Sequence, residues 1–265
     1  MREKVNQEQR SFSAWIILTR CAKEQSTITY GEIGKKLNIH HRAVRFVLGV
    51  IQRFCMENEL PPLTILVLNK HSGLPGDGFI AYDIENSLDG INKVYAYNWA
   101  SISNPFEYAQ VGTTEHQLID DLISKPNNSK DVYAKVKVRG IAQRIFRQAL
   151  LKVYDGSCSI CGLSFEDALQ ASHIIPYSQS NPDQRLDVRN GLLLCSTHHK
   201  LFDTGYITIN QDYTINYFDV EELLGEYNKY DRLMTTELHG KSIHLPIDPK
   251  HLPNKIYLDA HQKNG

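Results

Sequence analysis

The sequence predicts an α+β protein with two domains. Amphipathic helical patterns fill its first sixty residues, β-like segments with turn signals recur after residue 160, and two Cys/His pairs flank one of those segments. A chain of 265 residues is long enough for two domains, each with its own core. We expect an N-terminal winged-helix-like domain at residues 1–117, a linker at 118–137 and a second domain at 138–265.

The N-terminal domain is predicted to begin with three helices. Apolar residues recur at helical spacing between residues 12 and 22. Thr29 and Glu32 have the spacing of a capping box, which predicts the start of a second helix. A longer helix should cover residues 40–57, because two prolines follow shortly after it.

A hairpin is predicted after these helices. Residues 63–69 and 79–82 are β-like and flank a turn rich in glycine and proline. Helix, short helix, longer helix and hairpin is the order of a winged helix-turn-helix, whose later helix enters a DNA major groove. A scaffold or dimerisation domain with solvated basic residues is the alternative. Residues 83–117 mix aromatic and turn residues and predict no clear element. The DNA-contacting interpretation assigns three side chains of the long helix to double-stranded DNA: Arg42, Arg45 and Arg53.

The second domain is predicted to open with a basic helix at residues 138–154. Residues 132–154 contain six Lys or Arg residues and no Asp or Glu. Positive charge without balancing carboxylates is what neutralisation of DNA phosphates requires, and a solvated helix face is the alternative. Under the first interpretation, four side chains contact DNA: Arg139, Arg144, Arg147 and Lys152.

Two pairs of metal-binding residue types follow this helix. Cys158 and Cys161 form the first pair, and Cys195 and His198 form the second. Four such ligands in two pairs are typical of a closed structural Zn²⁺ site, which would hold a loop-rich domain together. A redox Cys-x-x-Cys pair is the alternative, but it requires no downstream Cys-x-x-His pair.

Four further polar residues lie between the two pairs or directly after them. His173 ends a short β-like run, and Asn190 lies at the turn before a second apolar strand. A helix should begin near His199, and Asp203 lies four residues later on the same face. An imidazole and a carboxylate at this spacing could bind one divalent cation.

These residues resemble the HNH family of ββα-metal nucleases, with His173, Asn190 and His199 matching the three letters of the name in order. The resemblance covers roughly residues 138–210 and is strongest to a restriction-type branch. It implies that His173 is the general base, that Asn190 orients it or ligates the metal, and that His199 and Asp203 bind a catalytic cation, Mg²⁺ or another divalent ion. Many relatives carry Asp or His where this chain has Ser172, which leaves the ligand set open.

Composition limits where the protein can contact DNA and in which compartment we expect it. A formal net charge of −1 argues against a globally basic nucleic-acid coat, so contact with DNA must come from local patches. No apolar run approaches the roughly 20 residues of a membrane span. Five cysteines are an odd number and three of them have metal-like spacing, which fits a reducing compartment. We therefore expect a cytoplasmic protein.

The sequence thus predicts a DNA endonuclease, most specifically a restriction enzyme directed by sequence or by base modification. A homing or mobile-element nuclease is one alternative. A non-catalytic DNA-binding regulator, in which the zinc-stabilised fold is only a scaffold, is the other. One catalytic site per chain is compatible with a homodimer that cuts both strands.

Overall fold

The computed structural model describes residues 5–136 and 138–264. The chain divides into two compact units. The N-terminal unit contains Met1–Glu115 and Lys135–Ile141, and the C-terminal unit contains His116–Ala134 and Ala142–Gly265. Both helices and strands are present, as the α+β prediction requires. None of the helices in the described ranges is long and apolar enough to cross a membrane.

Three helices begin the N-terminal unit, in the order predicted. The capping box forms, because the Glu32 backbone N–H donates to Thr29 Oγ1 at 3.3 Å and the Thr29 N–H donates to the Glu32 carboxylate at 2.8 Å. The third helix starts later than predicted, since a 3-10 turn precedes it at His41–Ala43. The helices are α1 (Gln7–Lys23), α2 (Tyr30–Lys36) and α3 (Val44–Glu57).

Aromatic residues form the centre of this unit. Trp15 of α1 contacts the rings of Phe54 and Trp99 edge-on, each with ring centroids 5.6 Å apart. Such pairs contribute about 0.5–1.5 kcal/mol beyond the area they bury. Trp99 follows α4 (Ser87–Ala96), and its indole N–H donates to the Val94 carbonyl at 2.8 Å. Residues 83–117, which predicted no clear element, therefore supply part of the core.

The hairpin predicted between residues 63 and 82 is wrong. Leu63–Leu66 forms a 3-10 helix, and β2 (Val67–Leu68) pairs in parallel with β1 (Ile28–Thr29). Residues 79–82 form no strand. The apolar run is buried on all sides, so its composition indicated a core segment and not a wing with one solvated face. Without that hairpin, the winged-helix domain remains a prediction.

The segment predicted as a linker is largely helical. It contains α5 (Glu115–Ser124) and α6 (Ser129–Lys135). Leu118 and Leu122 of α5 are fully buried, and the carbonyl of Ile123 accepts a hydrogen bond from His251 Nε2 at 2.7 Å. The polar composition of this segment reflects its outward-facing residues, while its apolar residues pack within the C-terminal unit.

The C-terminal unit contains an antiparallel hairpin followed by a helix. In the hairpin, Ser172 lies opposite Leu192 and His173 opposite Gly191. The basic helix begins and ends within one residue of its predicted limits. These elements are α7 (Arg139–Val153), β3 (Leu169–His173), β4 (Gly191–Cys195) and α8 (Ser196–Asp203).

Gly191 allows α7 to lie directly on this hairpin. A Cβ atom at that position would be 2.6 Å from Cζ of Phe146 and 2.7 Å from Cδ1 of Leu150. Both contacts are shorter than real Cβ atoms make, so any other residue requires these two side chains, or the helix that carries them, to shift. Gly191 thus sets the distance between α7 and β4, and with it the place of His173.

A second hairpin and two helices complete the unit. An antiparallel hairpin forms between β5 (Ile207–Ile209) and β6 (Ile215–Tyr217). Helix α9 (Lys229–Met234) follows and begins after Asn228, whose side chain caps it. The last helix is α10 (Lys255–Asn264).

Candidate active site and metal centre

The two Cys/His pairs meet in a buried cluster. The ligand atoms of Cys158, Cys161, Cys195 and His198 all lie within 4.8 Å of one another. Cys195 Sγ is 3.1 Å from Nδ1 of His198, and Cys161 Sγ is 3.9 Å from Cys195 Sγ. Four donor atoms this close can share one metal ion, as their spacing in the sequence predicted.

Local structure delivers these four side chains. A turn after α7 carries Cys158 and Cys161, and the Gly162 N–H donates to the Cys158 carbonyl at 2.9 Å to close it. Cys195 is the N-cap of α8, which places His198 in the first turn of that helix. The metal cluster therefore joins the segment before β3 to the segment after β4.

The orientation of His198 and the lowered pKa of the Cys158 thiol both suit a cation. His198 Nε2 donates to the carbonyl of Met234 at 3.1 Å, which leaves Nδ1 as the ligand atom. Hydrogen bonds with Cys161 and Cys195 hold the pKa of the Cys158 thiol far below its usual range, whereas contacts with Cys158 and Cys195 raise the pKa of Cys161. A buried thiolate is costly without a positive partner, so this cluster is best completed by a metal ion.

His173 is held at the end of β3. Its ring stacks on Phe146 of α7, with centroids 4.2 Å apart and planes inclined by 16°, and it meets the ring of Tyr177 edge-on at 5.7 Å. Its Nε2 lies 3.0 Å from the carbonyl oxygen of Arg185. A carbonyl can only accept, so Nε2 carries a proton, and the neutral form of the ring has its lone pair on Nδ1.

Asn190 fixes the chain that follows His173. The Asn190 side chain is fully buried, and its Oδ1 accepts from the backbone N–H of Ile175 at 2.8 Å. Its Nδ2 donates to the carbonyl of Gln184 at 3.1 Å and to that of Ile175 at 3.3 Å. Of the two roles implied for Asn190, orientation and metal ligation, these contacts match orientation.

His199 and Asp203 lie side by side on α8. His199 Nδ1 is 3.6 Å from Asp203 Oδ2, and 27% and 50% of their side chains are exposed. Ser172 is buried, and its hydroxyl donates to the other carboxylate oxygen, Oδ1, at 3.5 Å. Ser172 thus contacts Asp203 from β3, so the residue that departs from the family pattern supports a predicted ligand.

Two groups of predicted residues result. His173 contacts α7 and the loop held by Asn190, while Ser172, one residue earlier and on the other face of β3, contacts α8. Residues 158–210 match the family model described as HNH endonuclease.

They form an HNH endonuclease domain.

Comparisons of the whole chain with known proteins show limited similarity. No curated protein matches the chain. Among solved structures, the modification-dependent restriction endonuclease TagI is similar, with 20% identity and a TM-score of 0.28. The similarity covers 43% of this chain and 35% of the TagI chain, so this chain matches about a third of that protein's length.

The basic residues of α7 next to the HNH domain are partly engaged within the protein. Arg147 donates to the carbonyls of Glu166 at 2.9 Å and Leu169 at 3.2 Å, and Lys152 forms an ion pair with Asp120 at 3.0 Å. The two Arg147 contacts attach the start of β3 to α7. Arg139 is exposed and Arg144 half-buried on the same helix. The DNA contacts assigned to all four residues remain predictions.

Nothing in the sequence indicated two residues near His173, namely Arg185 and Tyr177. Arg185 supplies the carbonyl that orients His173, and its guanidinium lies over the ring of Tyr177, 5.0 Å from the centroid. Any residue can supply a carbonyl, so no sequence signal marked this position.

His261 is a third residue whose position only the structure reveals. It belongs to α10, beyond the matched region, and stacks on Phe202 of α8 with centroids 3.9 Å apart. Burial of the ring lowers the pKa of His261. His261 and Asp203 line one cavity of about 410 Å³. Sequence separation hid this proximity, since about sixty residues separate the two.

Proposed function

We propose that this chain is a metal-dependent endonuclease that hydrolyses phosphodiester bonds of double-stranded DNA, and that it acts as a restriction enzyme on DNA with a modified base. The observation that carries the catalytic part is the hydrogen bond from His173 Nε2 to the Arg185 carbonyl, within an HNH domain. It favours the tautomer that can accept a proton at Nδ1.

His173 acts as the general base in this mechanism. Nδ1 takes a proton from a water molecule as the water oxygen attacks phosphorus in line with the leaving 3′ oxygen. The stack on Phe146 and the bond to the Arg185 carbonyl hold the ring while it gains and loses that proton. Asn190 acts as a positioning residue, because it holds the loop that supplies this carbonyl.

His199 and Asp203 would hold the catalytic cation. Both are partly exposed, and within the described residues they form a pair of ligands, not a closed cluster. Mg²⁺ suits such a site, since it commonly binds through one or two carboxylates together with substrate phosphates. A bound divalent cation would stabilise negative charge on the phosphate and on the leaving oxygen. Ser172 positions Asp203 and leaves ligation to it.

The Cys/His cluster would hold a structural Zn²⁺. Zn–S bonds of about 2.3 Å in tetrahedral geometry place sulfur atoms about 3.8 Å apart. The separation of 3.9 Å between Cys161 Sγ and Cys195 Sγ is close to this value. The set of three thiolates and one imidazole is also a common structural zinc combination.

Replacement of His173 by Ala tests the catalytic proposal. We expect cleavage of plasmid DNA in Mg²⁺, Mn²⁺, Co²⁺ or Ni²⁺ to fall by at least about 100-fold, the lower end of general-base contributions. DNA binding and zinc content should stay unchanged, which separates a nuclease from a regulator that only binds. Normal cleavage by H173A would overturn the assignment of the base.

Digestion of DNA of known modification status tests the substrate. Plasmids with and without methylated or hydroxymethylated bases would be digested and their ends mapped. We expect cleavage only of one modified class. A long asymmetric site cut without any modification would favour the homing-nuclease alternative. Since each chain has one HNH domain, we expect two chains to cooperate in cutting both strands.

A further inference from the structure

A cavity in the N-terminal unit contains none of the residues assigned to hydrolysis. Its volume is about 850 Å³, within the range typical of ligand sites. The start of α2, the turn at His41–Ala43, the middle of α3 and the chain from Asn69 to Phe79 contribute to its walls. The cavity contains no residue of the HNH domain, and the core side chains of the unit do not fill it.

Thr64 is a buried group in the cavity wall. Its side chain is 3% exposed, and Oγ1 has no hydrogen-bond partner in the described part of the chain. A buried hydroxyl without a partner is costly, and native proteins contain few of them. Oγ1 is shielded from solvent in the cavity wall, so a ligand with a polar edge would supply the missing partner only when the wall around Thr64 opens.

Gly49 leaves room for such a ligand. It lies in the interior of α3, where glycine is less stable than alanine. A Cβ atom at Gly49 would meet nothing within 4 Å, so packing within the protein does not require glycine there. Since Gly49 lines the cavity, its missing side chain keeps this space open.

The cavity also carries positive charge. Arg42, Arg45 and Lys70 line it, against one carboxylate, Asp77. All four are exposed, and neither Arg42 nor Lys70 forms an ion pair with any described residue. Unopposed cations beside a cavity are suited to phosphate groups on either side of the ligand that enters it.

We propose that this cavity takes a nucleobase turned out of a DNA duplex and selects the DNA that the HNH domain cuts. Thr64 would hydrogen-bond the edge of the base, while Arg42, Arg45 and Lys70 would contact the flanking phosphates. A base that leaves the stack presents its whole edge to a shaped pocket, which can read a modification there. The choice of DNA as ligand rests on the proposed endonuclease function.

Binding measurements test this proposal without any cleavage. The full chain with H173A, in the absence of divalent cations, would be titrated with duplexes of one sequence that differ at one position. That position would be unmodified, mismatched, or methylated or hydroxymethylated on the base. We expect at least about tenfold tighter binding of one altered duplex, since a mismatched or modified base is extruded or fitted more easily.

Two substitutions in the cavity should remove this preference. Gly49→Leu fills the space and should bind all duplexes alike, with no loss of melting temperature because leucine favours helix. Thr64→Val should weaken binding of the preferred duplex about three- to tenfold, without destabilising the fold. Lys36→Gln is the matched control, an exposed cation on α2 outside the cavity, and should retain the preference.

Two results would overturn the proposal: the absence of any preferred duplex, or a preference that survives Gly49→Leu. Titration with free deoxynucleoside monophosphates shows whether the ligand is a base within DNA or a free nucleotide. If they bind as tightly as the preferred duplex and Gly49→Leu abolishes their binding, the cavity is a site for free nucleotides and the proposal is wrong. Because no cleavage is involved, failure here is distinct from normal cleavage by H173A.

Discussion

His173 shows how a backbone group can determine the chemistry of a side chain. Its residue type was enough to predict a base, but which nitrogen accepts the proton depends on the carbonyl of Arg185, twelve residues away. Asn190 holds the chain on both sides of this interaction through Ile175 and Gln184. In the proposed mechanism, His173 is therefore the reactive residue and Asn190 its positioning residue.

Asn190→Asp should damage the loop that orients His173. The new oxygen would face the carbonyls of Gln184 and Ile175, which now accept from Nδ2, so two hydrogen bonds become repulsive. We expect a loss of about 1–3 kcal/mol in unfolding free energy and a large fall in cleavage rate. Asn181→Asp is the control, because the Asn181 side chain acts only as an acceptor for Asp183 and Gln184. Equal stability of both variants would contradict this role for Asn190.

Gly191→Ala should separate α7 from the hairpin. The added methyl would overlap Phe146 and Leu150, both fully buried. Overpacking of this kind costs about 1–3 kcal/mol, which thermal or urea unfolding would measure. Because Phe146 also stacks on His173, cleavage should fall more than stability alone explains. A fully stable and active variant would show that α7 can shift without consequence.

At the scale of elements, the Cys/His cluster and α7 hold the hairpin from two sides. The cluster ties the turn at Cys158 to the start of α8, and Arg147 ties α7 to the start of β3. The spacing of the cysteines predicted the first connection. The second was invisible in the sequence, where Arg147 looked like one of several DNA-binding cations.

Loss of the metal should unfold the C-terminal unit. Cys158→Ser removes one thiolate of four, and the free energy of metal binding in such sites is comparable to the total stability of a domain, about 5–15 kcal/mol. We expect lost zinc by elemental analysis together with a lower or missing melting transition. Cys21→Ser is the control, since Cys21 lies outside the cluster. A variant that melts normally without zinc would rule out a structural role.

Arg147→Gln should lower stability, because its guanidinium hydrogen bonds to Leu169 and Glu166 stabilise the start of β3. Hydrogen bonds to charged groups contribute about 1.5–3 kcal/mol, and the partial exposure of Arg147 favours the lower value. Differential scanning calorimetry would measure the change. Lys130→Gln removes an exposed cation from α6 and should leave the melting temperature unchanged. Equal melting temperatures of the two variants would show that Arg147 does not stabilise the fold and would leave only its electrostatic role.

For the whole molecule, a net charge of −1 means that DNA must bind to local patches. Seven cations are predicted from the sequence to contact DNA and the proposed cavity adds Lys70, so the logarithm of affinity should fall with the logarithm of salt concentration with a slope no steeper than about −7. Titration of H173A with duplex DNA at several salt concentrations measures this slope. A slope near zero would exclude phosphate contacts by these residues.

The sequence by itself determined the elements that depend on local spacing. Capping residues set the start of α2, the helical period set α7, and the paired ligands of the metal cluster were readable because metal coordination demands short, fixed intervals. His173, Asn190 and His199 were identified for a similar reason, since the resemblance rests on motifs within one short segment.

Only the tertiary structure decided the rest. Residues 63–69 looked like a wing because apolar β-branched runs suit both a strand and a buried segment, and burial on all sides could be seen only in the folded chain. The contact of Ser172 with Asp203, the carbonyl that orients His173 and the cavity around Thr64 and Gly49 all join distant parts of the sequence. Such contacts depend on how elements pack, which spacing along a chain does not encode.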